Sequence, residues 1–248
     1  MSRVLVTGSS DGLGRAAAKA LLDDGHSVVV HSRTSARLAA VQDLLDRGAE
    51  AVVGDLGSLD EVRGLVQQAN ALGRFDAVIH NAGVIGGSSL LPVNVVAPFV
   101  LTAEMDRPDR LIYLSSSMHH GGRPDIAGVD WSGGQESRSY ADSKLFVTAL
   151  AAAVARLWPD VSAYAVDPGW VPTRMGGASA SDDLRLGHVT QAWLAAGTDM
   201  DDAVPTGLFW HHQEIRTPHQ AVHDERFQAA LIGSLAEFTG SKIQGGPK

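Results

Sequence analysis

The sequence contains no cysteine in 248 residues, which excludes disulfide bonds, thiolate zinc sites and cysteine nucleophiles. It also lacks any block of lysine and arginine, and its formal net charge is −8. Nucleic acids and anionic membranes are bound by clustered basic residues, so neither is an expected partner. No apolar run reaches the roughly 18 residues of a membrane span, and no signal peptide precedes the first strand-like segment. We therefore expect a cytoplasmic protein.

Hydrophobic residues make up 44% of the chain, which is enough for a sizeable core. Strand-like and helical segments alternate throughout, with no linker and no repeat. Continuous apolar runs predict strands that are covered on both faces, as in a parallel sheet; they are residues 4–7, 28–31, 51–54, 77–80, 111–114, 163–166 and 207–210. The alternation predicts one α/β domain over residues 1–248, with a seven-stranded, mostly parallel, doubly wound Rossmann sheet and helices on both faces.

Helical patterns lie between these runs. One begins at Leu13, and Ser58-Leu59-Asp60-Glu61 has the pattern of a capping box at the start of another. Residues 138–157 are apolar on most sides, so we expect this helix to be buried within the protein or between the subunits of a homodimer or homotetramer. Residues 221–238 predict a C-terminal helix. Residues 176–183 are small and polar, which suggests a substrate loop or lid over residues 176–198, or else an ordinary surface loop.

The turn after the first predicted strand is rich in glycine. Its sequence, Thr7-Gly8-Ser9-Ser10-Asp11-Gly12-Leu13-Gly14, joins that strand to a helix. In a doubly wound sheet such a turn lies at the carboxyl edge, where the helix N-terminus can bind a pyrophosphate. Glycine would let the diester approach the backbone closely. The alternative is a structural turn without a ligand.

Further motifs follow in a fixed order along the chain. They are Asp55-Leu56, Asn81-Ala82-Gly83, Asn94, Ser115-Ser116-Ser117, Tyr140-Ala141-Asp142-Ser143-Lys144, Pro168-Gly169-Trp170-Val171 and Thr173. With the glycine turn, they make the chain similar to the short-chain dehydrogenase/reductase family over about residues 3–175. The resemblance implies a nicotinamide dinucleotide cofactor that lies along the carboxyl edge of the strands. Its contacts would include the glycine turn (Gly8, Ser10, Asp11, Gly12, Leu13 and Gly14), Asp55 and Leu56 at the adenine, Asn81, Ala82 and Gly83, Tyr140 and Lys144, and Pro168, Gly169, Val171 and Thr173 at the nicotinamide.

Tyr140 and Lys144 are four residues apart and so share one face of a helix. A lysine ammonium beside a phenol favours the phenolate, which predicts a pKa for Tyr140 below its ordinary value of about 10. Tyr140 could then exchange a proton with a substrate oxygen as a general acid/base. The resemblance implies that Ser116 orients this oxygen, with Ser115 and Ser117 as rivals, and that Asn94 supports a proton relay through Lys144.

The end of the second predicted strand bears on the choice of cofactor. NAD enzymes of this kind usually have an acid there, whereas this chain has Ser32 followed by Arg33. A guanidinium can pair with a 2′-phosphate, so we predict NADP rather than NAD. Asp11 is a contrary signal, because its charge would repel a nearby phosphate.

The segment between Ser116 and Tyr140 is longer than in most members of the family. Its sequence resembles the retinol dehydrogenase and WW-domain oxidoreductase branch, whose members act on hydrophobic carbonyls and alcohols. Trp131, Trp170, Met175 and Trp193 could then line an apolar pocket for such a substrate.

Two adjacent histidine pairs, His119-His120 and His211-His212, raise the question of a metal site. Neighbouring side chains on a strand point apart, and neither pair has an obvious third ligand, so we predict no metal.

The sequence therefore predicts an oxidoreductase that interconverts a carbonyl and an alcohol. Two alternatives stay open: a dinucleotide sensor without turnover, and an epimerase or dehydratase on the same scaffold.

Overall fold

The computed structural model describes residues 1–197 and 204–246, in which eight strands form one sheet. The strands are β1 (Arg3–Val6), β2 (Ser27–Ser32), β3 (Glu50–Val53), β4 (Ala77–His80), β5 (Arg110–Leu114), β6 (Ser162–Asp167), β7 (Phe209–His211) and β8 (Glu214–Arg216). Their order across the sheet is β3-β2-β1-β4-β5-β6-β7-β8. The first seven pair in parallel, as predicted. The strand order reverses between β1 and β4, which opens a crevice at their carboxyl ends.

The eighth strand corrects the predicted count of seven. β8 pairs antiparallel with β7 at the edge of the sheet, and all three of its residues are exposed. It therefore lacks the continuous apolar run that marks the other strands. The connecting turn is made by His212 and Gln213, whose φ angles are 46° and 62°. Such hairpin turns usually contain glycine or asparagine, so their residues gave no signal here.

Helices cover both faces of the sheet, as predicted. They are α1 (Gly12–Asp23), α2 (Gln42–Leu45), α3 (Leu59–Ala71), α4 (Ala97–Glu104), α5 (Tyr140–Leu157), α6 (Val189–Ala196) and α7 (Glu225–Thr239). One apolar core lies between the sheet and helices α3, α4, α5 and α7, and the other between the sheet and helices α1, α2 and α6. Within the described residues, no helix combines the length and apolarity that crossing a membrane requires.

The capping box predicted at the start of α3 forms only in part. Ser58 accepts a hydrogen bond from the Glu61 backbone N–H. The Glu61 carboxylate instead accepts one from the backbone N–H of Asp55, at 2.8 Å, and so ties the β3–α3 loop to the helix. A complete capping box stands at the start of α5, where Ser139 and Asp142 cap each other.

Helix α5 is buried within the chain, because it lies between the sheet and α7. Phe146 of α5 packs against Phe227 of α7, with ring centroids 6.0 Å apart. The predicted C-terminal helix thus covers the apolar surface of α5. Burial of α5 therefore no longer argues for pairing between subunits.

The region predicted as a substrate loop contains an irregular segment followed by helix α6. Residues 176–188 have no regular structure, whereas α6 packs against α1 and β5 in the core. Residue 198, the last of the predicted loop, lies outside the described residues. A lid role for residues 176–188 remains a prediction.

Candidate active site

Two of the three glycines in the turn after β1 are required by packing. A Cβ atom on Gly8, whose φ is 64°, would lie 2.9 Å from the Cα of Ala82. A Cβ on Gly14 would lie 2.3 Å from Nδ2 of Asn81 and 2.6 Å from the carbonyl oxygen of Gly8. The Asn81 amide in turn donates to the carbonyls of Thr7 and Gly8. Glycine at positions 8 and 14 therefore lets the Asn81-Ala82-Gly83 segment pack against the turn. The sequence predicts a different reason for these glycines, the close approach of a phosphate.

Gly12 is the glycine that leaves space open. Its φ is 55°, and the nearest atom to an added Cβ would be Cγ2 of Thr173, 3.9 Å away. Asp11 caps α1, because its carboxylate accepts the Gly12 N–H at 2.8 Å. Ser10 and Leu13 are half-buried beside it. The cap explains an acidic residue in this turn without any contact to a ligand.

His31 supports the turn from β2, and sequence reasoning missed it. Nδ1 of His31 accepts a hydrogen bond from the Gly8 N–H at 2.9 Å, so Nε2 carries the proton and donates to the Gly54 carbonyl at 2.8 Å. Burial lowers the pKa of His31, which favours this neutral form. Both partners lie more than 20 positions away in the sequence. No local pattern marks such a contact.

The edge of the crevice at the end of β2 carries positive charge. Arg33 is exposed and Arg37 is half-exposed, and within the described part of the chain neither side chain has a hydrogen bond or ion pair. Arg15 is committed elsewhere, since two bonds of 2.8 Å join it to Asp43. Asp55 closes a turn by accepting the Gly57 N–H, and Leu56 is buried. The guanidinium groups of Arg33 and Arg37 could therefore pair with a phosphate.

The three serines after β5 have different surroundings. Ser115 is buried, and its hydroxyl bonds to Thr148 of α5 at 2.6 Å. Ser116 is half-buried and accepts the Met118 N–H at 3.2 Å, while its hydroxyl interacts with the Tyr140 phenol. Ser117 is exposed at the mouth of a cavity. Of the three, Ser116 is the one whose hydroxyl meets the phenol.

Lys144 and Tyr140 lie on the same face of α5. Nζ of Lys144 is 5.5 Å from the centroid of the Tyr140 ring and donates to the Leu114 carbonyl at 2.7 Å. Burial lowers the pKa of Lys144 to about 8. For Tyr140, burial and the charge of Asp167 raise the pKa to about 12, although the Ser116 hydroxyl opposes the shift. The predicted decrease in the pKa of Tyr140 is therefore wrong in this structure, because burial and the charge of Asp167 set the direction of the shift.

Asn94 lies on one wide helical turn, Pro92–Val96, just before α4. Its amide donates to the Val84 carbonyl at 2.9 Å and to the Ser143 hydroxyl at 3.0 Å, and it accepts the Val84 N–H at 2.8 Å. A Cβ on Gly83 would lie 3.4 Å from Oδ1 of Asn94 and 3.6 Å from Nζ of Lys144. The structure thus brings Gly83, Asn94 and Lys144 together. Wide turns of this kind are frequent at functional sites.

The segment after β6 faces the same crevice. Gly169 has a φ of 81°, and its N–H donates to Oδ1 of Asp167 at 3.0 Å. After Pro168 and Gly169 the chain reaches Val171, which is buried and whose carbonyl accepts the Thr173 N–H at 2.7 Å. Asp167 is buried at the end of β6 and was not among the expected site residues. Its sequence signal is slight, since it occupies the last position of an apolar strand.

His119 is a second site-supporting histidine that sequence reasoning missed. It is fully buried, and its Nε2 accepts the His219 N–H at 3.0 Å. Nδ1 therefore carries the proton and donates to the Ser116 carbonyl at 2.7 Å. Burial lowers the pKa of His119 to about 4. His119 thus fixes the backbone of Ser116 to the segment before α7.

A cavity of about 440 Å³ has in its wall Ser117, the chain neighbour of Ser116, and Asp167, whose charge raises the pKa of Tyr140, whereas Ser116 and Tyr140 themselves are not part of that wall. Its walls mix aromatic and charged side chains, from Ser117, His120, Asp167, Gly169, Trp170, Asp182, Phe209, His211, Arg216 and Thr217. The expected pocket of four large side chains forms only in part, and Cε of Met175 would lie 4.0 Å from a Cβ added to Gly83, on the side of Lys144. Trp131 is buried and bonds to Ser234, and Trp193 packs against Trp210 in the core. Only Trp170 of that set lines the cavity.

The side chains within each histidine pair lie close together, which differs from the predicted geometry. The rings of His119 and His120 lie 4.1 Å apart, and those of His211 and His212 stack at 4.0 Å. They do not point apart, because one pair lies on a short 3₁₀ turn and the other reaches into the β7–β8 turn. Over residues 1–197 and 204–246, no three His, Asp or Glu side chains are grouped so as to hold a metal ion.

The buried histidines predict a loss of stability in mild acid. Burial lowers the pKa of His119 to about 4 and that of His80 to about 3 in the folded protein. Unfolded histidine binds a proton below about pH 6.5. The contribution of these histidines to the unfolding free energy should therefore be constant above pH 6.5 and fall below it, by up to about 1.4 kcal/mol per pH unit for each histidine until its folded pKa is reached. Denaturant unfolding at pH 7.5, 6.0 and 5.0 measures this; equal stability at all three would contradict the buried, neutral assignment.

Comparison with known proteins agrees with this geometry. A family model for short chain dehydrogenases matches residues 2–108. An oxidoreductase of Emericella nidulans is 37% identical, over 99% of this chain and 100% of that protein. A short-chain dehydrogenase of Penicillium rubens is 35% identical, over 98% of this chain and 99% of that protein. A proposed daunorubicin C-13 ketoreductase of Streptomyces sp. strain C5 is 34% identical, over 96% of this chain and 92% of that protein.

Solved structures share the fold. A protein of Mycobacterium paratuberculosis, 22% identical, superposes with a TM-score of 0.78 over 98% of this chain and 94% of that chain. A blue fluorescent protein from a metagenomic library, solved with NADPH and 25% identical, superposes with a TM-score of 0.68 over 85% and 95% of the two chains. With relatives of this identity along nearly its whole length, the chain belongs to the short-chain dehydrogenase/reductase family and is an oxidoreductase.

Proposed function

We propose that this oxidoreductase uses NADP(H) to interconvert a carbonyl and an alcohol, with Tyr140 as the acid/base. The observation that carries the proposal is the meeting of the Ser116 hydroxyl, the Tyr140 phenol and the Lys144 ammonium. Ser117 and Asp167 connect this group to the wall of the cavity. Gly83 links this group to the glycine turn, because its neighbour Ala82 packs on Gly8 while Gly83 itself lies against Lys144. A dinucleotide held by the turn would therefore end at the phenol.

The residues of the crevice fit an NADP molecule. The N-terminus of α1 and the open space at Gly12 suit a pyrophosphate. Arg33 and Arg37 offer guanidinium groups to a 2′-phosphate at the end of β2. A similar structure solved with NADPH supports the same cofactor class. When bound, the nicotinamide supplies or accepts the hydride.

The side chains of the protein would manage the proton. The Ser116 hydroxyl would hold the substrate oxygen, and Tyr140 would donate its proton to that oxygen during reduction. A pKa of about 12 keeps Tyr140 protonated at neutral pH, which suits reduction. Oxidation of the alcohol needs the phenolate, so its rate should rise with pH. Lys144 and Asn94 would connect the phenol to solvent as a relay.

The proposal is tested by NADPH consumption with a panel of aldehydes and ketones. Reduction coupled to stoichiometric oxidation of NADPH would support it. Tight NADPH binding without turnover of any carbonyl would favour the sensor alternative. Product formation without net NADPH oxidation would favour an epimerase or dehydratase. The ketoreductase relative makes ketones the first substrates to try.

Replacing Arg33 should weaken the binding of NADPH much more than the binding of NADH. Arg33→Ser removes a guanidinium that faces the proposed 2′-phosphate, so the Kd for NADPH should rise about 10–100-fold, as for the loss of a hydrogen bond to a charged group. The Kd for NADH, which lacks that phosphate, should change little. Titration of tryptophan fluorescence would measure both constants. Arg226→Ser, an exposed change of equal charge in α7, is the control, and an equal loss for NADH and NADPH would contradict the assignment.

A further inference from the structure

Asp167 is a buried carboxylate that the proposed proton chemistry leaves unexplained. It ends β6, is 4% exposed and forms part of the cavity wall. It lies close enough to Tyr140 to raise the pKa of that phenol. A negative charge there opposes formation of the phenolate and so makes oxidation of an alcohol harder. The same charge favours the ammonium form of Lys144, and the position of Asp167 in the cavity wall suggests a further role in contact with the substrate.

The two oxygens of Asp167 differ in their surroundings. Oδ1 accepts the Gly169 N–H at 3.0 Å, which fixes the orientation of the carboxylate. Oδ2 lies 3.4 Å from Nδ1 of His211, the residue paired with Asp167 across β6 and β7. That nitrogen is buried and, within the described residues, makes no hydrogen bond. Oδ2 therefore keeps the capacity to accept a hydrogen bond at the cavity surface.

The other charged side chains of the cavity already have partners. Asp182 accepts the Trp170 N–H at 2.7 Å, and Arg216 is paired with Glu214 at 2.5 Å. The remaining walls include the rings of Phe209, Trp170 and His120. A flat ring suits such walls, because aromatic side chains pack on one another in stacked or edge-on contacts.

We propose that Asp167 binds a hydroxyl group of the substrate, and that the protein prefers hydroxylated aryl ketones to the same ketones without the hydroxyl. This inference rests on the proposed carbonyl reduction. The hydroxyl donates to Oδ2 while the ketone oxygen lies at Ser116 and Tyr140. A substrate without that donor leaves Oδ2 desolvated, with the 3.4 Å contact to Nδ1 of His211 as its polar neighbour, which costs binding energy.

The test compares acetophenone with 2-hydroxyacetophenone, 3′-hydroxyacetophenone and 4′-hydroxyacetophenone, each with NADPH at pH 7. At least one hydroxylated ketone should have a kcat/KM about tenfold or more above that of acetophenone, mainly through a lower KM. In Asp167→Asn this preference, measured as the ratio of the two kcat/KM values within the variant, should shrink to within about twofold to threefold. Asp60→Asn, an exposed change in α3, is the control and should keep the full preference.

Each other outcome has a distinct meaning. Equal kcat/KM for acetophenone and all three hydroxylated ketones would overturn the role of Asp167 and leave the proposed reduction intact. A preference that survives unchanged in Asp167→Asn would also overturn it. Failure of every ketone to oxidise NADPH would count against the proposed function itself. The wild-type comparison needs no variant, so equal values for acetophenone and the hydroxylated ketones overturn the proposal even where Asp167→Asn is unstable.

Discussion

Tyr140→Phe should lower kcat for ketone reduction by about 10²–10⁴-fold, the range expected for the loss of a general acid. The change removes only the hydroxyl oxygen, so the ring remains beside Nζ of Lys144 and the packing of α5 is kept. The Kd for NADPH should stay within a few-fold of the wild-type value. Stopped-flow or steady-state NADPH absorbance and a fluorescence titration would measure the two effects separately.

The control is Tyr164→Phe, which also removes a phenolic hydroxyl. Tyr164 lies on β6 in the core that faces α1 and α6, where its hydroxyl contacts the Val204 carbonyl. This variant should lose about 1 kcal/mol of unfolding free energy at most and keep its kcat. Wild-type kcat in Tyr140→Phe would contradict the assignment of the proton donor.

Gly14→Ala should abolish NADPH binding and destabilise the fold. The added Cβ would lie 2.6 Å from the Gly8 carbonyl oxygen and 2.3 Å from Nδ2 of Asn81, so either the turn or the Asn81 segment must move. Overpacking of this kind costs about 1–3 kcal/mol. The movement would disturb the same turn that we propose to hold the pyrophosphate. Denaturant unfolding and NADPH titration would measure the two losses.

Gly64→Ala is the matched control for that change. Gly64 lies inside α3, and no atom lies within 4 Å of an added Cβ. Alanine has the higher helix propensity, so this variant should gain about 0.5–1 kcal/mol and bind NADPH as the wild type does. If Gly14→Ala behaved in the same way, the packing account of the glycine turn would be wrong.

The parts of this protein that sequence predicted well are those set by local pattern. Apolar runs marked the seven parallel strands because a buried strand needs apolar residues on both faces. The spacing of Tyr140 and Lys144 placed both on one face of a helix, since positions four apart are neighbours there. The β7–β8 hairpin escaped notice because its turn residues, His212 and Gln213, adopt positive φ without the usual glycine.

The parts that sequence missed depend on contacts between distant residues. His119 bonds to a backbone N–H 100 positions away, and His31 bonds to Gly8 and Gly54 on two other segments. The pKa of Tyr140 was predicted in the wrong direction, because spacing reveals a neighbouring lysine but neither the burial of the phenol nor the charge of Asp167. Asp167 looks like the end of an ordinary strand until β6 and β7 bring it beside His211.

The most direct test of the central claim follows a labelled hydride. NADPH carrying deuterium at both hydrogen positions of the nicotinamide C4 is incubated with the protein and a ketone from the panel, and the alcohol is examined by mass spectrometry. We predict one deuterium on the carbinol carbon for each NADPH oxidised, with label transfer about 10²–10⁴-fold slower in Tyr140→Phe. An alcohol without deuterium, or NADPH that binds and is never oxidised by any carbonyl, would contradict the account.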